Sequence, residues 1–499
     1  MIIGVVSRIP SVFGIPISLA RPLLVWVDIE GEHTSPTVQE VTTHAGCPEP
    51  RETDVLVIGG GTAGVGAAIA AARSGVRALL VERYGFLGGV ANVGLCLHTF
   101  HSSYGKRIVA GLPWEMILRM KELGGSTGPV FIENAHMKTT TPVDPETMKY
   151  VLQEMLLESG GEILYHTTAL EVIVEDGALK GVVVVNKGGR QEIRARVVID
   201  GTGDGDIAYQ AGAPWEKGRE GDGKMQRMSL VFKLGGVDMP RAFEAIGKGG
   251  AWAPLPLTGD MYPVWWSATL EKYAKEAEAE GLFLGTDEFW GNTVRKNEAN
   301  INASRIQGVD GTSGDDLTRA EIVGKQQVHQ LTHFLRKYVP GFANAYLLAT
   351  APFMGVRETR RIMGGHVLTG EDCLSGRKFH DGICKVGYPV DIHDPTSGNT
   401  LFTPVQGVDG SYDIPYRCLV PQRVENLLVI GRCISATHEG MASSRTMITG
   451  MMTGQAAGTA AALCLSQGVS PRLLDTDLLR ESLTRQGVHL SEGPVPGEE

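Results

Sequence analysis

VLVIGGGTAGVGAAIAAARSGVRALLVER, residues 55–83, is an apolar run, a glycine cluster, an alanine-rich segment and a second apolar run closed by a carboxylate. That is the order of a βαβ unit. Asp54 to Ile58 reads as a strand buried on both faces, because aliphatic and β-branched residues follow one another without interruption. Gly59, Gly61 and Gly64 fill the G-x-G-x-x-G pattern. The first permits a tight turn, the second lets a pyrophosphate approach the backbone, and the third packs helix against sheet. Thr62 to Arg73 is then the helix, opened by Thr62 and Ala63, whose first N–H groups and dipole face an anion. Its many alanines keep it thin enough to lie close to the sheet. Glu82 ends the second strand about 20 residues on, where a carboxylate can accept from a ribose hydroxyl. Strand, helix and acid together predict a dinucleotide site.

A chain of 499 residues exceeds what one core usually serves, so two domains are expected. Hydrophobic content of 42% and charged content of 20% are those of a globular protein. The net charge of −10, with no dense Lys/Arg cluster, argues against a nucleic-acid partner. Cysteines 47, 96, 373, 384, 418, 433 and 464 are scattered without a C-x-x-C, which offers no redox disulfide, zinc ribbon or iron–sulfur cluster, and no metal ligands are expected. Reduced thiols fit a cytoplasmic protein. Residues 1–26 are apolar, yet Pro10, Pro16 and Pro22 interrupt them and Arg8 and Arg21 charge them. They read as an N-terminal extension, 1–50, with a signal peptide ending near Ala20 as the alternative and no membrane partner.

Asp144 and Pro145 supply an N-cap and a first helical residue for a helix to about Ser159. Strand patterns near 162–166, 169–175, 179–186 and 190–199 predict an antiparallel meander. A buried strand, Val197 to Asp200, then leads into Gly201, Gly203 and Gly205. From 215 to 415 the sequence is mixed, with Trp-containing loops and a helical span from Thr318 to Tyr338. VENLLVI, residues 424–430, restores the buried-strand pattern before Gly431-Arg432 and a Gly- and Ala-rich helix from Thr446 to Gln467. Strand-to-glycine turns at 59, 201 and 431 predict one nucleotide domain assembled from 51–214 and 416–470. The span 215–415 is the inserted domain and 471–499 a C-terminal segment.

This arrangement is similar to the two-dinucleotide-fold flavoproteins of the glutathione reductase type. More narrowly, it resembles bacterial FAD-dependent oxidoreductases grouped with the heterodisulfide reductase A subunit. The resemblance rests on residues 52–83, GFLGGVANVG, VVIDGTGDGDIAYQAGAP, PFMGVRETRRIMGGHVLTGEDC, GYPVDIHDP and IPYRCLVPQRVENLLVIGRCISATHEG with TGQAAGTAAAL. It implies an α/β fold, an FAD-binding Rossmann-like domain of the glutathione reductase type with an inserted α+β substrate domain. It also implies FAD as cofactor, with Gly59, Gly61 and Gly64 at the pyrophosphate, Glu82 at the adenosine ribose and Arg83 beside it. Gly88 and Gly89 resemble the loop under the flavin phosphates, Gly203 and Asp204 the return turn near adenosine, and Gly431-Arg432 the turn near the ribityl chain. Many related flavoproteins have Gly-Asp at that last place. Arg432 stands here instead, so the ribityl contact is not transferred, and the cluster cysteines of the heterodisulfide reductase subunit are missing.

Candidate catalytic groups come from segments expected near the flavin. His98 and His101 are possible proton acceptors, or satisfied imidazoles of a strand. Arg357 and Arg361, with Glu358 and Arg360 between them, would share one face of a strand and bind a substrate carboxylate or a reduced flavin, or else form a salt-bridge ladder. Asp391 and His393 point the same way on a strand, and His438-Glu439 precedes the helix expected to face the flavin. The expected function is transfer of a hydride from a small organic substrate to FAD, with the electron acceptor left open. The alternatives are an FAD-dependent monooxygenase or a non-catalytic electron-relay subunit. No second G-x-G-x-x-G with a following acid suggests a separate nicotinamide domain.

Overall fold

The computed structural model describes residues 49–132, 137–282, 288–396 and 400–496. Most of the N-terminal extension, with its prolines and Cys47, lies outside them. Strand β1 (Arg51–Ile58) pairs in parallel with β2 (Ala78–Val81), and α1 (Thr62–Arg73) connects them. Strand β3 (Glu162–Leu164) adds in parallel to the far edge of β2. Strands β4 (Thr168–Glu175), β5 (Ala178–Asn186) and β6 (Gly189–Asp200) form an antiparallel meander. The second half of β6 pairs in parallel with β1, and a seventh strand, Leu427–Val429, runs parallel to its end.

This corrects the expected four-stranded meander in two ways. Its first strand belongs to β2, and the patterns at 190–199 and 197–200 are one strand of 12 residues. A strand pattern states that two faces are covered without stating which partner lies beside it. Alternate residues serve two cores: Val55 and Val57 face one, and Leu56 and Ile58 the other. Helix α2 (Pro145–Glu158) begins as its sequence indicates, with the Asp144 carboxylate accepting from Thr147 N at 2.9 Å.

A second sheet is wholly antiparallel. Its strands are β7 (Phe232–Gly235), β8 (Gly247–Pro254), β9 (Met261–Thr269), β10 (Glu288–Asn292), β11 (Glu298–Asn302) and β12 (Tyr346–Thr350), in the order β8-β9-β10-β11-β7-β12. Helix α3 (Gly314–Tyr338) buries Val328, Leu331, Phe334 and Leu335 with Phe232, Leu234 and Ile301 of this sheet. Later residues of the 215–415 span, among them Leu368, Ile383 and Val390, pack instead into the core of the first sheet.

After the Leu427–Val429 strand come helices α4 (His438–Ser444) and α5 (Met447–Gln467), with a further helix at Thr476–Arg485. Helix α5 lies against α1 at backbone distance. A Cβ on Gly454 would fall 1.9 Å from the Ala63 carbonyl oxygen, and one on Gly458 2.1 Å from that of Ala67. The small residues that suggested proximity to a cofactor are therefore used mainly to bring α5 onto α1. Among the described residues no helix is long and apolar enough to cross a membrane.

Candidate active site

The glycine turns at 59, 201 and 431 lie at the carboxyl ends of three neighbouring parallel strands, where open α/β sheets take their ligands. Gly59 has φ +99°, and a Cβ there would meet Gly201 O at 2.4 Å, so two turns are pressed together. From them a cavity of about 1670 Å³ runs to the second sheet.

At the sheet end the cavity is lined by Gly59, Gly61, Thr62, Ala63, Glu82 and Arg83, then by Gly89, Gly203, Asp204, Gly431 and Arg432. Gly61 caps α1 with no side-chain hydrogen bond, no acid stands in the first turn, and the space beside its Cα is open. Unsatisfied N–H groups and the helix dipole therefore face the cavity. Glu82 accepts from Gly60 N at 2.6 Å and Tyr84 N at 2.8 Å, and its burial pushes the carboxyl above its usual range. Arg432 donates to Asp204 at 2.6 Å and to Val356 O at 2.7 Å, which ties three segments together. Gly64 and Gly88 are not among the lining residues. A Cβ on Gly64 would fall 1.8 Å from Gly59 O, and Gly88 N donates to Gly60 O at 2.7 Å, so both brace the first turn from behind.

At the other end the hairpin of β13 (Val390–His393) and β14 (Thr400–Thr403) contributes Asp391, His393 and Thr400 to the lining. His393 Nε2 stands 3.3 Å from Asp391 Oδ1, and Nδ1 lies 3.2 Å from Thr400 Oγ1. Asp391 Oδ2 accepts from Tyr388 Oη at 3.0 Å and Arg445 at 3.1 Å. Burial and then Arg357 push the His393 imidazole down to about 3. Burial pushes the Asp391 carboxyl up, but His393, Arg445 and Arg357 outweigh it and hold the group well below the usual range. His98 lines the same region, 3.2 Å from Thr140 Oγ1 and stacked on Tyr388. Cys96 beside it is a thiol, pushed up to about 12 by burial.

Three candidates lie elsewhere. His101 is outside the lining, 3.0 Å from Thr139 Oγ1. Arg361 does not share a face with Arg357, because the chain is irregular until Arg360. Arg357 lines the cavity, whereas Arg361 donates to Glu358 at 2.7 Å, Gly218 O and Ala436 O. His438 starts α4, separate from α5, and its Nδ1 lies 2.9 Å from Glu358 Oε1 in the buried network that holds Arg361. Glu439 is likewise outside the lining. Arg305, Arg445, Ser229 and Tyr388 do line the cavity, with Arg227 buried behind. Sequence reasoning missed them; the available signal was a lone arginine in an apolar stretch such as NINASRIQG.

A family model described as FAD dependent oxidoreductase matches residues 54–483. The chain belongs to the FAD-dependent oxidoreductase family. It is accordingly an FAD-dependent enzyme, and the open, uncapped helix end suits the cofactor's phosphates. The oxidoreductase is 30% identical over 158 residues to a digeranylgeranylglycerophospholipid reductase of Methanospirillum hungatei, covering 31% of this chain and 39% of that one. It is 32% identical over 222 residues to a thiamine thiazole synthase of Aeropyrum pernix, covering 42% and 70%. The match thus spans less than half the length of the reductases. A solved geranylgeranyl bacteriochlorophyll reductase-like protein of Thermoplasma acidophilum aligns over 89% of this chain and 94% of its own at 13% identity and TM-score 0.46. The p-nitrophenol 4-monooxygenase of Pseudomonas putida DLL-E4 aligns over 90% and 91% at 11% identity and TM-score 0.43.

Proposed function

We propose that this oxidoreductase is a dehydrogenase or oxidase that takes a hydride from a small organic substrate held between the second sheet and the Asp391–His393 pair. One observation carries the reading: a single cavity joins the glycine turns to a buried imidazole–carboxylate pair. FAD, when bound, supplies the two-electron chemistry. Gly59, Gly61, Thr62 and Ala63 would hold its pyrophosphate, Glu82 and Arg83 its adenosine ribose, and the turns at Gly89, Gly203-Asp204 and Gly431 the rest of the chain. The second sheet would serve as the inserted substrate domain of a glutathione reductase-type arrangement.

His393 is neutral at pH 7, so one ring nitrogen keeps a lone pair. The Asp391 carboxylate favours the proton on Nε2, which leaves Nδ1 as the acceptor. Thr400 Oγ1 stands on Nδ1 and lines the cavity, so a substrate O–H or N–H proton reaches the imidazole by displacing that hydroxyl or through it. Tyr388 and Arg445 fix the carboxylate that orients the ring.

The test is anaerobic mixing of the holoenzyme with alcohols, amines, hydroxy acids and amino acids, followed at the oxidised flavin band. Loss of that band with an organic donor, and not with NADH or NADPH alone, is the expected result. Rapid bleaching by a nicotinamide, with none by any organic donor, would replace this reading with the monooxygenase.

A further inference from the structure

Resting on the reading of this cavity as a substrate site, we infer that the substrate carries a carboxylate, held by guanidinium groups at the cavity's inner end. Arg305, Arg357 and Arg445 line the cavity, and Arg227 is buried behind them. Arg357 Nη1 donates to Ser229 Oγ at 2.9 Å, and Arg305 Nη1 lies 3.5 Å from the same hydroxyl. Arg357 Nη1 also donates to the Arg227 carbonyl at 2.7 Å. Two cations therefore converge on neutral oxygens.

Arg445 meets a carboxylate, Asp391, which Tyr388 and His393 also use. Among the described residues, Arg227, Arg305 and Arg357 form no ion pair; Arg305 and Arg357 donate to the neutral oxygens of Ser229, Ser304 and the Arg227 backbone. Asp394, the next acid along the chain, is bound to Arg219. Among the described residues, the buried Nε groups of Arg227, Arg305 and Arg445 have no hydrogen-bond partner. Among the described residues, Arg227, Arg305, Arg357 and Arg445 thus share the charge of Asp391, while Asp394, which also acts on Arg227, is held by Arg219.

Burial pushes the Arg227, Arg305 and Arg357 guanidiniums down, Arg305 to about 9, but arginine starts so high that these groups keep their protons at neutral pH and titration does not relieve the excess. Buried unpaired cations are costly, and a planar anion matches guanidinium forks bidentately. A substrate carboxylate would supply the missing charge and the missing acceptors together. The arginines come from the chain near residues 227, 305, 357 and 445, which is why no local motif announces the site.

The test titrates FAD-loaded enzyme with glycolate and succinate, and with glycolamide and succinamide, at constant ionic strength, by calorimetry and by the flavin difference spectrum. The acids should bind saturably and the amides at least about tenfold more weakly. Arg357→Gln should weaken the acids about tenfold to hundredfold with FAD content unchanged, and Arg357→Lys should recover part of the loss. The acid–amide comparison needs no variant, so a misfolded Arg357→Gln does not weaken the test. Equal affinity for acids and amides, or no binding of acids, would overturn the proposal. So would an Arg357→Gln effect confined to the flavin's midpoint potential, which would mean that the arginines serve the flavin alone. If acids fail while a neutral alcohol or amine bleaches the flavin, the anion site falls and the hydride-transfer reading stands. If acids bind through Arg357 and nothing bleaches the flavin, the anion site stands and that reading falls.

Discussion

Gly454→Ala adds one methyl group at the crossing of α5 and α1, and it should release FAD from a distance. The new Cβ would start 1.9 Å from the Ala63 carbonyl oxygen, a backbone atom in the first turn of α1. Carbon–oxygen contacts settle near about 3.3 Å, so the first turn of α1 must move by roughly 1.4 Å. Overpacking of this kind costs about 1–3 kcal/mol. The N–H groups of Thr62 and Ala63 travel with the turn, and a hydrogen bond stretched by more than about 1 Å is lost. Losing one bond to a charged phosphate is worth about 1.5–3 kcal/mol, or about tenfold to hundredfold in FAD affinity. The assay is flavin absorbance per protein after gel filtration, with thermal melts recorded with and without added FAD. A Gly454→Ala protein with full FAD content and an unchanged melt would refute the argument that this contact sets the position of the cofactor's helix.

Arg361→Met should cost about 3–5 kcal/mol in denaturant unfolding, because Glu358 keeps its burial and loses its cation at 2.7 Å. Carboxylate binding by the folded protein should be unchanged; the reverse pattern would place Arg361 in the substrate site. The His393 imidazole is held at about 3 in the fold against an ordinary 6.5, so the unfolded chain binds more protons between these values. Its stabilising contribution is full above pH 6.5 and is lost as pH falls towards 3, by up to about 1.4 kcal/mol per pH unit. His393→Gln should therefore melt with a shallower dependence on pH between 6.5 and 4 than the wild type, and parallel curves would count against a buried neutral imidazole. Tyr388→Phe removes the hydroxyl donor to the Asp391 carboxylate at 3.0 Å and should cost about 1.5–3 kcal/mol, read as a lower melting temperature with FAD content retained.

The strand–turn–helix frame at the glycine end of the cavity was legible because its signals are local. Turn glycines, helix opening and terminal acid lie within 55–83, and each residue type answers a backbone requirement that the chain itself creates. Pairing was harder to read. Strand β3 looks like the first strand of a meander, and only the long-range register Leu79↔Glu162 shows that it extends the parallel sheet. Arg357 and Arg361 illustrate the same limit, since a four-residue spacing places both on one face only if the backbone is extended throughout. The chain between them is not, and the two arginines part, one to the cavity and one to Glu358. The arginine cluster is assembled by tertiary contact from four distant segments, so no pattern within any one of them could announce it.

The most direct test is the rate at which an organic donor bleaches bound FAD without oxygen, compared between wild type and His393→Gln at matched FAD content. Removing a positioned proton acceptor should slow bleaching by about 10²–10⁴-fold while leaving the oxidised flavin spectrum and donor affinity nearly unchanged. Bleaching of both proteins at one rate would contradict the claim that the Asp391–His393 end of the cavity is where the substrate reacts.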